Sequence, residues 1–229
     1  MKYAKPTYLA FFIAAFISLV VALFFEKLDL LYIYPFSFIT IVIIYIKEKK
    51  ESINVLFPLA LIVGLAGGVL IIIGLGQCVP EVSVCISLFY LLYIRLMYAK
   101  NEKQKTTMRT YIILLFILLP ILYVYDRVMC LVYDEIHEDF IYFAIMVILM
   151  LMYIMFALYY YIRNKNQANL WMLIAAANLA VMNIIITINE LYMYERMFTV
   201  LAVFCSNLML FFSLKFMLED EKNIINDFS

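Results

Sequence analysis

An all-α fold, a polytopic bundle of eight transmembrane helices with both termini cytoplasmic, is what three features of this sequence predict. They are an extreme apolar content, apolar runs of bilayer length, and basic residues that alternate from one connection to the next. Of 229 residues, 68% are hydrophobic and 15% charged, against roughly 45–50% and about 25% in soluble domains. No water-soluble fold could bury that share. Only helices and closed barrels satisfy every backbone group in lipid, and a barrel requires segments of about ten residues alternating apolar and polar. The runs here are continuously apolar, so the spans are helical.

Charge-free stretches near the roughly 20 residues that a bilayer needs place helices at about 8–25, 28–46, 53–76, 79–97, 110–126, 140–162, 168–189 and 197–214. The first follows Lys2 and Lys5, as a signal peptide would, but it outlasts the usual apolar core of about 7–15 residues and no small-x-small cleavage site follows, so it reads as a retained helix. The second contains Tyr34-Pro35-Phe36, and the third contains Gly64, Gly67 and Gly68. The apolar centre of the fourth is short. It extends at both ends to take in Glu81 and Arg95, whose long side chains reach the interfaces. Pro120 should kink the fifth, where neighbouring helices can satisfy the freed carbonyl. The sixth is a long run free of charge. The seventh carries Asn178, Asn183, Thr187 and Asn189, and the eighth carries Ser206 and Asn207. The connections are too short to hold a soluble domain, so residues 1–229 form one transmembrane domain.

The basic residues then orient the bundle. One side takes Lys2 and Lys5, then Lys47, Lys49 and Lys50, then Lys100, Lys103, Lys105 and Arg109, then Arg163 and Lys165, then Lys215 and Lys222; the other takes only Lys27, Arg127 and Arg196. By the positive-inside rule the richer side, with both termini, is cytoplasmic, and the chain is an integral protein of the cell membrane. The opposite side is acidic. Asp126, Asp134, Glu135, His137, Glu138 and Asp139 are placed in the connection between the fifth and sixth helices, with Glu190 and Glu195 between the seventh and eighth. These acids are expected to form solvated external loops; the alternative is that some of them, notably Glu190 at a helix end, line the mouth of a cavity.

Several function classes are excluded. The basic residues form short clusters and never an extended face, which speaks against nucleic acid. With one histidine, His137, and with Cys78, Cys85, Cys130 and Cys205 scattered outside any C-x-x-C pair, no metal site and no cofactor are expected; the thiols are expected to be buried and free. Polar side chains at membrane depth are the better pointer, because each must find a partner or line a water-filled space. By the helical rise of about 1.5 Å per residue, Gly68 and Asn183 lie at nearly the same depth, with Tyr90 slightly deeper. They are expected to share one pocket with Tyr93; alternatively, the glycines serve close helix packing and the asparagines bridge helices.

These positions resemble the lysoplasmalogenase, or YhhN-like, family of multi-pass proteins, which are similar in length and have eight helices. Tyr34-Pro35-Phe36 resembles the family's Lys-Pro-Leu, and Gly67-Gly68-Val69-Leu70-Ile71 its Gly-Asp-x-x-Leu. Tyr90-Leu91-Leu92-Tyr93 resembles its His-x-x-Tyr, and Met182-Asn183 with Thr187 and Asn189 the stretch that begins Ser-Asp; Asn207 aligns loosely with a family glutamine. The resemblance implies hydrolysis of the vinyl ether of a lysoplasmalogen, a lysophospholipid drawn from the membrane, at Gly68, Tyr90, Tyr93 and Asn183. Asp126, Glu190 and Asn207 are candidates for substrate binding.

Both family aspartates are replaced, by Gly68 and Asn183, and the histidine by Tyr90. Vinyl-ether cleavage needs an acid to protonate the enol-ether carbon and a carboxylate to stabilise the cation or activate water. Glycine and asparagine supply neither. Three readings stay open: a hydrolase that recruits Glu190 or Asp126, a non-catalytic relative that binds a lipid or a partner helix, and a small transporter. The absence of deep charges and of paired broken helices weighs against transport.

Overall fold

The structure, a computed structural model, describes residues 6–49, 53–101 and 108–219. Within them lie eight helices: α1 Pro6–Phe24, α2 Leu30–Glu48, α3 Leu56–Gly74, α4 Val79–Lys100, α5 Met108–Ile136, α6 Phe140–Arg163, α7 Gln167–Leu191 and α8 Arg196–Leu218, with 3₁₀ turns at Lys27–Asp29 and Leu75–Gln77. Each helix is long and apolar enough to cross a membrane, so the chain has the architecture of an integral multi-pass protein. Of the basic residues used for orientation, Lys2, Lys5, Lys50, Lys103, Lys105 and Lys222 lie outside the described residues.

Polar contacts at the helix ends fix the up-and-down order. At the face that holds the start of α1 and the end of α8, the Lys100 ammonium donates to the carbonyls of Phe216 and Glu219. There too the Asn169 amide donates to the Asn101 side chain at 2.9 Å and to the Tyr160 and Asn164 carbonyls. At the far face Lys27 reaches the Ile71 carbonyl and Glu190, and Arg196 donates to the Leu23 carbonyl. The most extensive packing joins α7 to α8, and α4 lies between α3 and α6, whereas α5 rests mainly on α6 and α7 at the edge.

Lipid is as apolar as the side chains it surrounds, so close packing and interhelical hydrogen bonds hold such helices together. Gly64 and Gly67 serve this purpose. A Cβ at Gly64 would stand 2.7 Å from the Phe89 ring, and one at Gly67 would stand 2.6 Å from Ile86, so α3 meets α4 nearly backbone to side chain. Beneath this seam an aromatic cluster fills the bundle: Tyr45 on Phe57 with centroids 4.8 Å apart, Phe89 on Tyr93 at 4.7 Å, and Tyr90 on Tyr153 at 5.7 Å. Offset and edge-on pairs of this kind suit the ring quadrupoles. Gly74, at φ 157°, ends α3 in a conformation that favours glycine.

Two expectations are corrected. The fifth helix does not stop near Asp126: Tyr125, Val128, Val132 and Ile136 continue its buried stripe at helical spacing, so it runs to Ile136 and carries Asp126, Asp134 and Glu135 on its exposed side. The loop to α6 shrinks to three residues around Glu138. The thiols are free, but only Cys205 is buried and Cys130 is exposed on α5. The fourth helix does extend through both Glu81 and Arg95.

Candidate functional site

A cavity of about 70 Å³ opens between α2, α3, α7 and α8, with part of α4 as its back wall. Each helix gives it one stripe at spacings of three or four residues. From α2 come Leu30, Tyr34 and Phe38; from α3, Gly64, Gly68, Ile71 and Ile72; from α7, Leu179, Met182, Ile186, Asn189 and Glu190; and from α8, Thr199, Ala202, Val203, Ser206 and Met209. That periodicity is the signature of one continuous face per helix. Leu30 to Phe38, Glu190 to Leu179 and Thr199 to Met209 each span about 12–16 Å by helical rise. The cavity therefore runs from the far face to about the middle of a 30 Å hydrocarbon layer.

Its chemistry is graded along that axis. At the rim, Lys27 donates to the Glu190 carboxylate at 2.5 Å and to the Ile71 carbonyl at 3.0 Å, with the two side chains 18% and 10% exposed. The 3₁₀ turn between α1 and α2 holds Lys27 in place, and the last turn of α7 holds Glu190. Beside the pair, the Asn189 amide donates to the Thr199 hydroxyl, and its carbonyl oxygen accepts from the Glu195 N–H at 2.7 Å. These bonds clip the start of α8 to the end of α7. About two turns deeper, Tyr34 and Ser206 share a hydrogen bond at 3.1 Å that bridges α2 and α8. Below it the walls are Phe38, Phe89, Leu179 and Met209.

Gly68 forms the floor beneath the Tyr34 ring. A Cβ there would stand 2.7 Å from Cε1 and 2.9 Å from the hydroxyl of Tyr34, so the phenol lies across α3 only because position 68 has no side chain.

The sequence-derived positions divide. Gly68 and Glu190 line the cavity; Tyr90, Tyr93 and Asn183 do not. The Asn183 amide donates to the Tyr90 hydroxyl at 2.9 Å and to the Leu179 carbonyl, which joins α7 to α4 inside the bundle. Tyr93 is fully buried in the aromatic cluster, with Ser213 of α8 near its hydroxyl. The expectation of one space shared by all four is thus replaced by two neighbouring sites, with Phe89 as part of the wall between them. The reason is rotational: Met182 and Ile186 turn toward the cavity, which turns Asn183 toward α4. Asn207 donates to the Ser18 hydroxyl at 3.0 Å and ties α8 to α1. Asp126 is exposed on α5, which contributes nothing to the cavity.

No family model, curated protein or solved structure matches this chain. The cavity therefore has to be read from its own chemistry. Among the described residues that line it, Glu190 is the one carboxylate, and it accepts from Lys27 at the rim. Sequence reasoning passed over Lys27, which counts there only as a topology marker. The available signal was that Lys27 is one of three basic residues on a side otherwise rich in carboxylates.

Proposed function

We propose that this protein is a lipid-binding, non-hydrolytic relative of the lysoplasmalogenases, set in the cell membrane with cytoplasmic termini. Its cavity receives the chain of one membrane lipid; the resemblance implies a lysophospholipid. The observation that carries this reading is the cavity's axis, with a charged rim at the far face and apolar walls down to mid-bundle. An amphiphile with one chain has the same order of polarity along its length. The facing of Tyr34 and Gly68 adds support for the kinship, because both lie in family-like motifs and each accommodates the other's departure from the family residue.

The same geometry argues against catalysis. Protonating an enol-ether carbon requires a positioned acid, which typically contributes about 10²–10⁴ in rate. Below the rim, the polar groups lining the cavity among the described residues are the hydroxyls of Tyr34 and Ser206, and a phenol with an ordinary pKa of about 10 is a poor donor. Asn183 and Tyr90, bonded to each other, stand outside the cavity. Purified protein given a lysoplasmalogen is expected to release no aldehyde above the buffer rate, in the wild type and in Glu190→Gln alike. Robust wild-type turnover would overturn the non-hydrolytic reading; its loss in Glu190→Gln would name Glu190 as the acid, and its survival there would point to another.

A further inference from the structure

Lys27 and Glu190 are, among the described residues, the charged groups that line the cavity, and they neutralise each other in direct contact. A buried charge whose partner is removed is strongly destabilising, and ionisable groups at membrane depth are costly unless paired. An anionic head would leave the rim with one uncompensated negative charge beside the Glu190 carboxylate, nine-tenths buried. A cationic head would leave one uncompensated positive charge beside Lys27 in the same way. A zwitterion preserves the charge balance but must desolvate two further charges against a rim that is already neutral and where Lys27 is held in addition by the Ile71 carbonyl at 3.0 Å.

A hydroxyl meets none of these obstacles. An ammonium carries three donors and a carboxylate two acceptor oxygens. Glu190 Oε2 and the Ile71 carbonyl take two of the three donors. The third donor and Glu190 Oε1 have no partner among the described residues. One hydroxyl can donate to that oxygen and accept from that N–H with both charges left in place. The next polar groups below, Tyr34 and Ser206, are neutral as well.

We infer that the cavity selects an uncharged, hydroxyl-bearing single-chain lipid of the monoacylglycerol class, its hydroxyl bridging Lys27 and Glu190 and its chain lying along Gly68 toward Met209. This rests on the lipid-binding reading of the cavity, and it departs from the charged lysophospholipid that the resemblance implies.

The test uses the full-length protein in phosphatidylcholine nanodiscs with three photoactivatable probes that share one diazirine-bearing acyl chain: a monoacylglycerol, a lysophosphatidylcholine and a lysophosphatidate. Labelled peptides are mapped by mass spectrometry. The monoacylglycerol is expected to label the α3, α7 and α8 walls about tenfold or more above either charged probe, since a stranded rim charge costs at least that factor. Glu190→Gln, which leaves Lys27 unbalanced, should shift preference toward lysophosphatidate, while Lys27→Gln combined with Glu190→Gln should retain the monoacylglycerol. Wild-type labelling of these walls by either charged probe as strong as that by the monoacylglycerol overturns the inference and leaves the lipid-binding reading standing. Failure of all three probes to label the walls overturns that reading itself.

Discussion

At Gly68 the missing side chain and the ring that fills its place belong to one arrangement. Returning an acid to this position puts its Cβ against Tyr34, 2.7 Å from Cε1. Gly68→Asp is therefore expected to lower stability by about 1–3 kcal/mol, as overpacking does. Tyr34→Ala in the same chain should restore part of the loss, a coupling that a double-mutant cycle in thermal or denaturant unfolding reads directly. Adding Asn183→Asp does not bring a second acid to the cavity, because residue 183 faces Tyr90; the Gly68→Asp/Asn183→Asp chain is expected to release no aldehyde from a lysoplasmalogen. Gly68 was legible as a pocket residue from its depth in the third helix, whereas Glu190 was legible only under the alternative reading of the acidic residues, from its place at a helix end. Lys27 was not, because the partner that defines its role lies 163 residues away. Nor was the orientation of Asn183, since helical spacing gives depth along a bundle but the neighbouring helices decide rotation.

Among the elements, the α3–α4 seam is where small residues matter most. Gly67→Val is expected to cost about 1–3 kcal/mol, because Ile86 Cδ1 stands 2.6 Å from the new Cβ and Cys85 blocks retreat at 3.4 Å. Gly76→Ala, which meets only Leu191 at 3.7 Å, should stay within about 0.5 kcal/mol of the wild type. Equal losses at the two sites in detergent unfolding would show that close approach is not what position 67 provides. The eight spans were readable because apolar length alone defines them, and the end of α4 was readable because long charged side chains can reach an interface. The end of α5 was not. Asp126 and Arg127 interrupt the apolar run, yet the buried stripe from Tyr125 to Ile136 continues on the side of the helix away from both.

For the whole molecule, the order of spans along the sequence assigns fourteen of seventeen basic residues to one side or its margin, so a reporter fused after Ser229 should report cytoplasm and one inserted at Glu138 should not. A cytoplasmic signal from Glu138 would invert the topology and put the cavity's rim on the inner surface. The connection between α5 and α6 is the place for that insertion because it is short, exposed and remote from the cavity. The rim also sets an order of events during synthesis. Chains emerge from the N-terminus, so the turn bearing Lys27 enters the membrane long before Glu190 is made. Until α7 and α8 arrive, the first six helices hold a lysine with no carboxylate opposite it and a groove with two of its walls missing. A chain released before Asn189 would carry both defects at once, an unpaired cation and an open apolar flank, which are the features by which membrane quality control can tell an unfinished protein from a finished one.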